Sequence, residues 1–213
     1  MEKKVSVFLE DLLERYPILE EQKDNILEVY QILEESFEKG NKLLVAGNGG
    51  SAADAEHIVG ELMKGFVKSR PLDESILSEL DKVDKNEGRA IGEKLQGALP
   101  AIALVDHVAL STAFLNDVDP LLGFAQQVNG YGKEGDVFLG ISTSGNSKNI
   151  LSACTIAKAK GMKVVGLTGG MGGKLKETAD AVIIVDEMET YKIQELHLPV
   201  YHTLCLMLEE RFF

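Results

Sequence analysis

The sequence predicts a doubly wound α/β fold, a single domain of about five parallel strands flanked by helices. Three observations carry that prediction. Short apolar runs recur along the chain, and most end in a glycine- or serine-rich loop. Helically patterned segments alternate with them, as expected when a parallel sheet is buried on both faces. A length of 213 residues with 45% hydrophobic and 26% charged side chains suits one globular domain with its own core.

The elements follow in order. Val5, Phe8, Leu9, Leu12 and Leu13 fall at helical spacing and stop at Tyr16-Pro17. From about Glu20 to Lys39 a second helical run carries Ile26, Leu27, Tyr30, Ile32, Leu33 and Phe37, and Gly40-Asn41 ends it. Residues 1–40 are therefore read as N-terminal helices packing outside the sheet and available for subunit contacts. Residues 41–213 form the main domain. Its strands are expected at Leu43–Ala46, Ala101–Val105, Val137–Ile141, Val164–Leu167 and Ala181–Val185, with helices such as 52–64 and 148–160 between them and a closing helix over 193–210. The segment 72–98 interrupts this rhythm. It mixes acidic and basic residues with helically spaced Ile76, Leu77, Leu80 and Val83, and reads as a solvated insertion; the other reading is a lid or subunit-contact element.

Charge and composition exclude several classes of partner. Lys and Arg number 22 and Asp and Glu 34, a net charge of −12, so the bulk field attracts neither nucleic acid nor an anionic membrane. The first ten residues hold no apolar run of signal-peptide length, and no stretch approaches the roughly eighteen apolar residues of a membrane helix. Two cysteines, Cys154 and Cys205, are too few for a disulfide framework. A cytoplasmic protein is expected.

Ligands of an open parallel sheet bind at the carboxyl ends of its strands, and two loops there stand out. Ser142-Thr143-Ser144-Gly145-Asn146-Ser147 puts four hydroxyls between a strand and a helix start, where free amides and the positive end of the macrodipole favour phosphate. Plain helix capping by Ser144 or Ser147 would need only one of them. Gly47-Asn48-Gly49-Gly50-Ser51-Ala52 matches a loose dinucleotide pattern, but the acidic residue expected about twenty positions on is missing. Gly169–Lys174 is not a P-loop, so nicotinamide cofactors and nucleoside triphosphates are disfavoured. His57 and Glu61 stand four apart on one helix face, and Gln194 and His202 eight apart on another. Such a set can converge on a divalent ion such as zinc, although a lone histidine on an apolar helix is more often a core residue.

Together, Asn48-Gly49-Gly50-Ser51 with His57 and Glu61, the run Gly140–Ser147, and Ile193-Gln194-Glu195 with His202 resemble the SIS (sugar isomerase) family. Within it they resemble the phosphoheptose isomerases. The resemblance implies a homotetramer that converts sedoheptulose 7-phosphate into D-glycero-D-manno-heptose 7-phosphate through an enediolate. It implies that Ser142, Thr143, Ser144 and Ser147 cradle the phosphate, and that Asn48, Gly49, Gly50, Ser51, Asn116, Asp117, Glu61 and Gln194 contact the substrate. It also implies His57, Glu61, Gln194 and His202 as zinc ligands, with Glu61 and His202 as the acid/base pair. Tyr191, Ala52 and the 72–98 insertion depart from the family pattern. Two other roles within the same family are an adaptor of the type that associates with the replication initiator DnaA, and a sugar-phosphate sensor. The first has an arginine where Ser144 stands here, and no basic helix-turn-helix precedes Asn41 to support the second.

Overall fold

Five parallel strands lie in the order β2-β1-β3-β4-β5 (β1 Leu43–Ala46, β2 Ala101–Ala103, β3 Val137–Ile141, β4 Lys163–Gly169, β5 Ala181–Val185) in a computed structural model that describes residues 3–213. Met1 and Glu2, the start of the expected N-terminal segment, lie outside the described residues. All four strand pairs are parallel, and β1 sits beside β3 with Ala46 opposite Gly140. The chain winds from β1 to β2 in one direction and from β3 to β5 in the other. The carboxyl ends of β1 and β3 therefore form the crevice where such sheets bind ligands.

Alternation along each strand divides the core in two. Leu43, Val45, Val137, Leu139, Ile141, Val165 and Leu167 face one helix layer, whereas Leu44, Ala46, Phe138 and Val164 face the other. The first layer contains α2 (Lys23–Glu38), α3 (Gly50–Met63) and α10 (Thr190–Phe212), with α1 (Lys3–Arg15) laid along α10. The second contains α7 (Gly123–Tyr131), α8 (Lys148–Ala159) and α9 (Gly173–Thr178). As expected, the N-terminal helices lie outside the sheet, yet they share its core: Val5, Leu9, Leu12, Ile26, Val29 and Leu33 are buried in the same cluster as β1 and α10. A 3₁₀ turn over Pro17–Gln22 joins the two helices, and the Gln22 side chain accepts the Ile184 N–H, tying it to β5.

The 72–98 segment folds as a helical hairpin of α4 (Glu74–Val83) and α5 (Gly88–Gly92), held together by Arg89 with Glu74 and Asp81. No residue of α4 is buried. An antiparallel bridge between Pro71 and Gln96 closes its base, so it leaves and re-enters the domain at one point.

Just before the hairpin, residues 64–70 wrap around a carboxylate of the terminal helix. Glu209 accepts the N–H groups of Phe66, Val67 and Lys68 and pairs with Arg70 at 2.8 Å, both side chains being at most 1% exposed. Arg70 also donates to the carbonyls of Leu62 and Glu61, capping the end of α3. The arrangement satisfies nearly every donor of a guanidinium removed from water, which a buried charge requires.

Candidate active site

The loop after β3 is held by internal hydrogen bonds and by its neighbours. Ser142 and Ser147 Oγ atoms lie 2.9 Å apart, and Ser147, the residue before α8, makes no side-chain capping bond. Ser147 therefore does not cap α8 with its side chain. The Thr143 carbonyl is held by the Gly169 N–H, and the Gly145 carbonyl by the Leu175 N–H, so the loop is anchored from β4 and α9. Gly145 takes φ +66°, and a Cβ there would stand 2.0 Å from the Gly172 carbonyl oxygen; only glycine fits.

The loop after β1 faces it. Asn48 and Asn149 exchange two amide hydrogen bonds of 3.1 and 2.8 Å, fastening this loop to the first turn of α8. Gly50 lets Gln194 of α10 lie against the backbone, for a Cβ on Gly50 would come within 2.4 Å of Gln194 Nε2. Asn48, Gly49, Gly50, Ser51, Ser142, Thr143, Ser147, Thr190 and Gln194 line one cleft of about 350 Å³. Ser144 stays exposed on the loop, its Oγ accepting the Asn146 N–H. Asn116 and Asp117 stand apart from this cleft, at the exposed end of α6 (Val108–Asp117), hydrogen-bonded to each other.

A second cluster lies further along α3 and α10. His57 Nε2 is 3.3 Å from Glu61 Oε1 and 3.5 Å from His202 Nε2. Lys64 Nζ stands 3.0 Å from Glu61 Oε2, and Glu61 is 9% exposed. His57 Nδ1 lies 3.0 Å from the hydroxyl of Tyr201, itself buried. Burial, followed by the charge of His57, holds His202 below the usual histidine range. Burial likewise pushes Asp54, one turn before His57, above the usual carboxylate range, partly offset by the nearby Tyr201 hydroxyl. Burial and the Asp54 carboxylate push Tyr201 up in turn. Asp54 Oδ2 is shut from solvent and accepts no hydrogen bond.

Three of the four expected ligands, His57, Glu61 and His202, therefore meet, while Gln194 stands at the serine cleft. The two groups are offset by seven residues on α3 and eight on α10, which is about 10–12 Å of helix. Among the described residues no group of three or more His, Cys, Asp or Glu side chains is placed to hold a metal ion. The contacts of the trio are pairwise and run through His57.

Lys64, Tyr201 and Asp54 escaped sequence reasoning. Lys64 follows Glu61 by three residues, a spacing that signals contact on any helix, but exposed Glu–Lys pairs are common. Nothing in the sequence places Tyr201 against His57. His197 shows the opposite case: it is fully buried on α10, and neither ring nitrogen makes a formed hydrogen bond. Burial pushes it down to about 4, the Thr168 backbone only partly offsetting this, and it serves as a neutral core residue.

Comparison with known proteins agrees with this architecture. A SIS domain family model matches residues 8–97 and 89–169. The phosphoheptose isomerase of Aneurinibacillus thermoaerophilus is 41% identical over 179 residues, 84% of this chain and 77% of that protein. Phosphoheptose isomerase GmhA from Neisseria gonorrhoeae superposes with a TM-score of 0.74 at 27% identity, covering 98% of both chains. A phosphoheptose isomerase from Francisella tularensis gives 0.73 at 30% identity, over 99% of this chain and 100% of the other.

Proposed function

This chain belongs to the SIS domain family, and on that premise we propose that it is a phosphosugar isomerase interconverting sedoheptulose 7-phosphate and D-glycero-D-manno-heptose 7-phosphate. The observation that carries the reading is the pairing of a serine cleft with a Glu61–His57–His202 cluster two to three turns further along the same helix pair, α3 and α10. Phosphate and reacting carbons sit at opposite ends of a seven-carbon sugar. An offset between cradle and acid/base cluster is what such a substrate requires.

The cleft hydroxyls and the free amides at the start of α8 bind the phosphate. Glu61 takes the proton from the carbon beside the carbonyl, with Lys64 Nζ 3.0 Å from its Oε2. His202, neutral because its pKa is depressed, moves the proton between the two substrate oxygens. Returning the carbon-bound proton to the adjacent carbon completes the isomerisation. Zinc is the ion the family resemblance implies; His57, Glu61 and His202 would hold it, and it would stabilise negative charge on the enediolate oxygens, whereas Gln194 lies at the serine cleft. A carboxylate bound tightly to a cation is a weaker base, so loose retention or a structural role for the metal accords best with Glu61 as base.

We further propose a cytoplasmic homotetramer. Its support is α6, which buries no side chain and leaves Val108 and Leu115 more than half exposed, as does Val118 just after it, as a helix covered by another subunit would. Cys154 and Cys205 are free and buried, each pushed up to about 12 chiefly by burial, which fits a reducing compartment. No helix among the described residues is long and apolar enough to cross a membrane.

Purified protein incubated with sedoheptulose 7-phosphate, with zinc and then with chelator, tests the function. Heptose 7-phosphate should form with wild type and not with His202→Ala. Absence of product with wild type, despite calorimetric binding of the sugar phosphate, would refute this substrate.

A further inference from the structure

The helix that carries Glu61 ends without a backbone cap. Lys64, the residue after α3, is extended (φ −140°, ψ 173°), so no left-handed turn folds back to take up the last carbonyls. Arg70 takes two of them instead: Nη2 donates to the carbonyl of Glu61 at 3.1 Å, and Nη1 to that of Leu62 at 2.9 Å. Its Nε and Nη2 each reach Glu209 Oε1 at 2.8 Å. The guanidinium carbon lies 4.4 Å from the centroid of the Phe213 ring, which covers its face, and the Arg70 side chain is wholly buried.

We propose that Arg70 is a positioning residue for the reaction. By bonding the backbone of Glu61 and the side chain of Glu209 at once, it fixes the last turn of α3 against α10 and sets where the Glu61 carboxylate stands relative to His202. The inference rests on reading Glu61 and His202 as the acid/base pair. Glu209 lies about two turns beyond His202 on α10. One planar group therefore joins the turn bearing one member of the pair to the helix bearing the other. The neighbours of the Glu61 side chain cannot replace it. His57 ties the two helices together one turn earlier, and Lys64, 59% exposed, follows the turn that has to be held.

The fork of the guanidinium is what the task needs, because it offers separate N–H groups to the carboxylate and to two carbonyls. Lysine at this position keeps a positive charge for Glu209, but its single nitrogen cannot stand at all three acceptors. The serine cleft lies about 10–12 Å away along the same helix pair. Releasing the last turn of α3 should therefore displace the base and leave phosphate binding in place. A misplacement of about 1 Å caused by a mutation away from the reacting atoms can cost about 100-fold in rate.

Steady-state kinetics of Arg70→Lys with sedoheptulose 7-phosphate provide the test. Its kcat should fall about 10- to 100-fold, while KM and calorimetric binding of the sugar phosphate stay within about twofold of wild type. The double variant Arg70→Met with Glu209→Met leaves no buried charge; it should show the same split and serves if Arg70→Lys does not fold. Lys42→Met is the control for lost stability alone. It removes an ion pair with the buried Asp136 at the amino end of the sheet, and should lower Tm without lowering kcat well below the melt. Folded Arg70 variants that keep wild-type kcat, or that lose kcat and sugar-phosphate binding together, would overturn the proposal, as would an equal kcat loss in Lys42→Met. Wild type that binds the sugar phosphate yet does not turn it over would instead refute the isomerase reading, and the positioning role with it.

Discussion

Replacing Glu209 with glutamine would show how firmly the terminal helix holds the segment leaving Glu61. Glu209 Oε1 accepts from Phe66 N and Arg70 Nε, each at 2.8 Å; Oε2 accepts from Val67 N at 2.9 Å and Lys68 N at 3.1 Å. An amide NH₂ in either position sets a donor against two donors, and the buried Arg70 loses its counter-charge. Neutralising one member of a buried, hydrogen-bonded ion pair costs roughly 3–5 kcal/mol. At about 2–4 °C per kcal/mol for a chain of this length, Tm should fall by roughly 6–20 °C in a calorimetric melt at neutral pH. The double variant Arg70→Met with Glu209→Met removes both charges and should be less destabilised than Glu209→Gln alone. A Tm within about 2 °C of wild type, or double-variant losses that simply add, would refute the reasoning.

The same pair sets a pH dependence. Burial pushes Glu209 upward, but the Val67 and Phe66 N–H groups and Arg70 outweigh it and hold the carboxyl below its ordinary range. A carboxyl depressed on folding contributes stability above its unfolded pKa of about 4.3, and that contribution is lost as pH falls through the lower folded value. The stability gap between wild type and Glu209→Gln should therefore be full at neutral pH and shrink only in acid.

Three further outcomes are expected. Glu61→Gln should lower turnover by roughly 10²- to 10⁴-fold while leaving calorimetric binding of the sugar phosphate in place; near-normal turnover would remove Glu61 as the base. Gly145→Ala, whose Cβ would meet the Gly172 carbonyl, should open the serine loop and raise KM by about tenfold or more with a smaller effect on kcat, read from steady-state kinetics. Replacing residues 73–94 by a short glycine linker should change stability by no more than roughly 0.5 kcal/mol, because α4 buries nothing and the Pro71–Gln96 bridge remains. Loss of turnover without loss of stability in that variant would make the hairpin a lid.

The sequence by itself determined the strands. Leu43–Ala46, Val137–Ile141 and Ala181–Val185 fall where their apolar runs predict, because strands buried on both faces leave uninterrupted hydrophobic stretches. The serine loop was legible as a strand-to-helix junction because a run of serine, glycine and asparagine follows the apolar strand. His57 and Glu61 were legible as a pair because four residues is one helical turn. The helix α6 was not, since its apolar residues point to all sides and nothing in this chain buries them.

Only the tertiary structure decided which distant groups meet. His202 against His57, Tyr201 against His57 Nδ1, Gln194 against Gly50 and Glu209 against Arg70 each join residues more than 130 positions apart. Such contacts follow from how α10 crosses α3, which depends on the packing of whole helix faces and leaves no local trace. Composition cannot tell a histidine in the core from one at the site. His197 and His202 lie on the same helix five residues apart, and only the turn of α10 sends one beneath β4 and the other to Glu61.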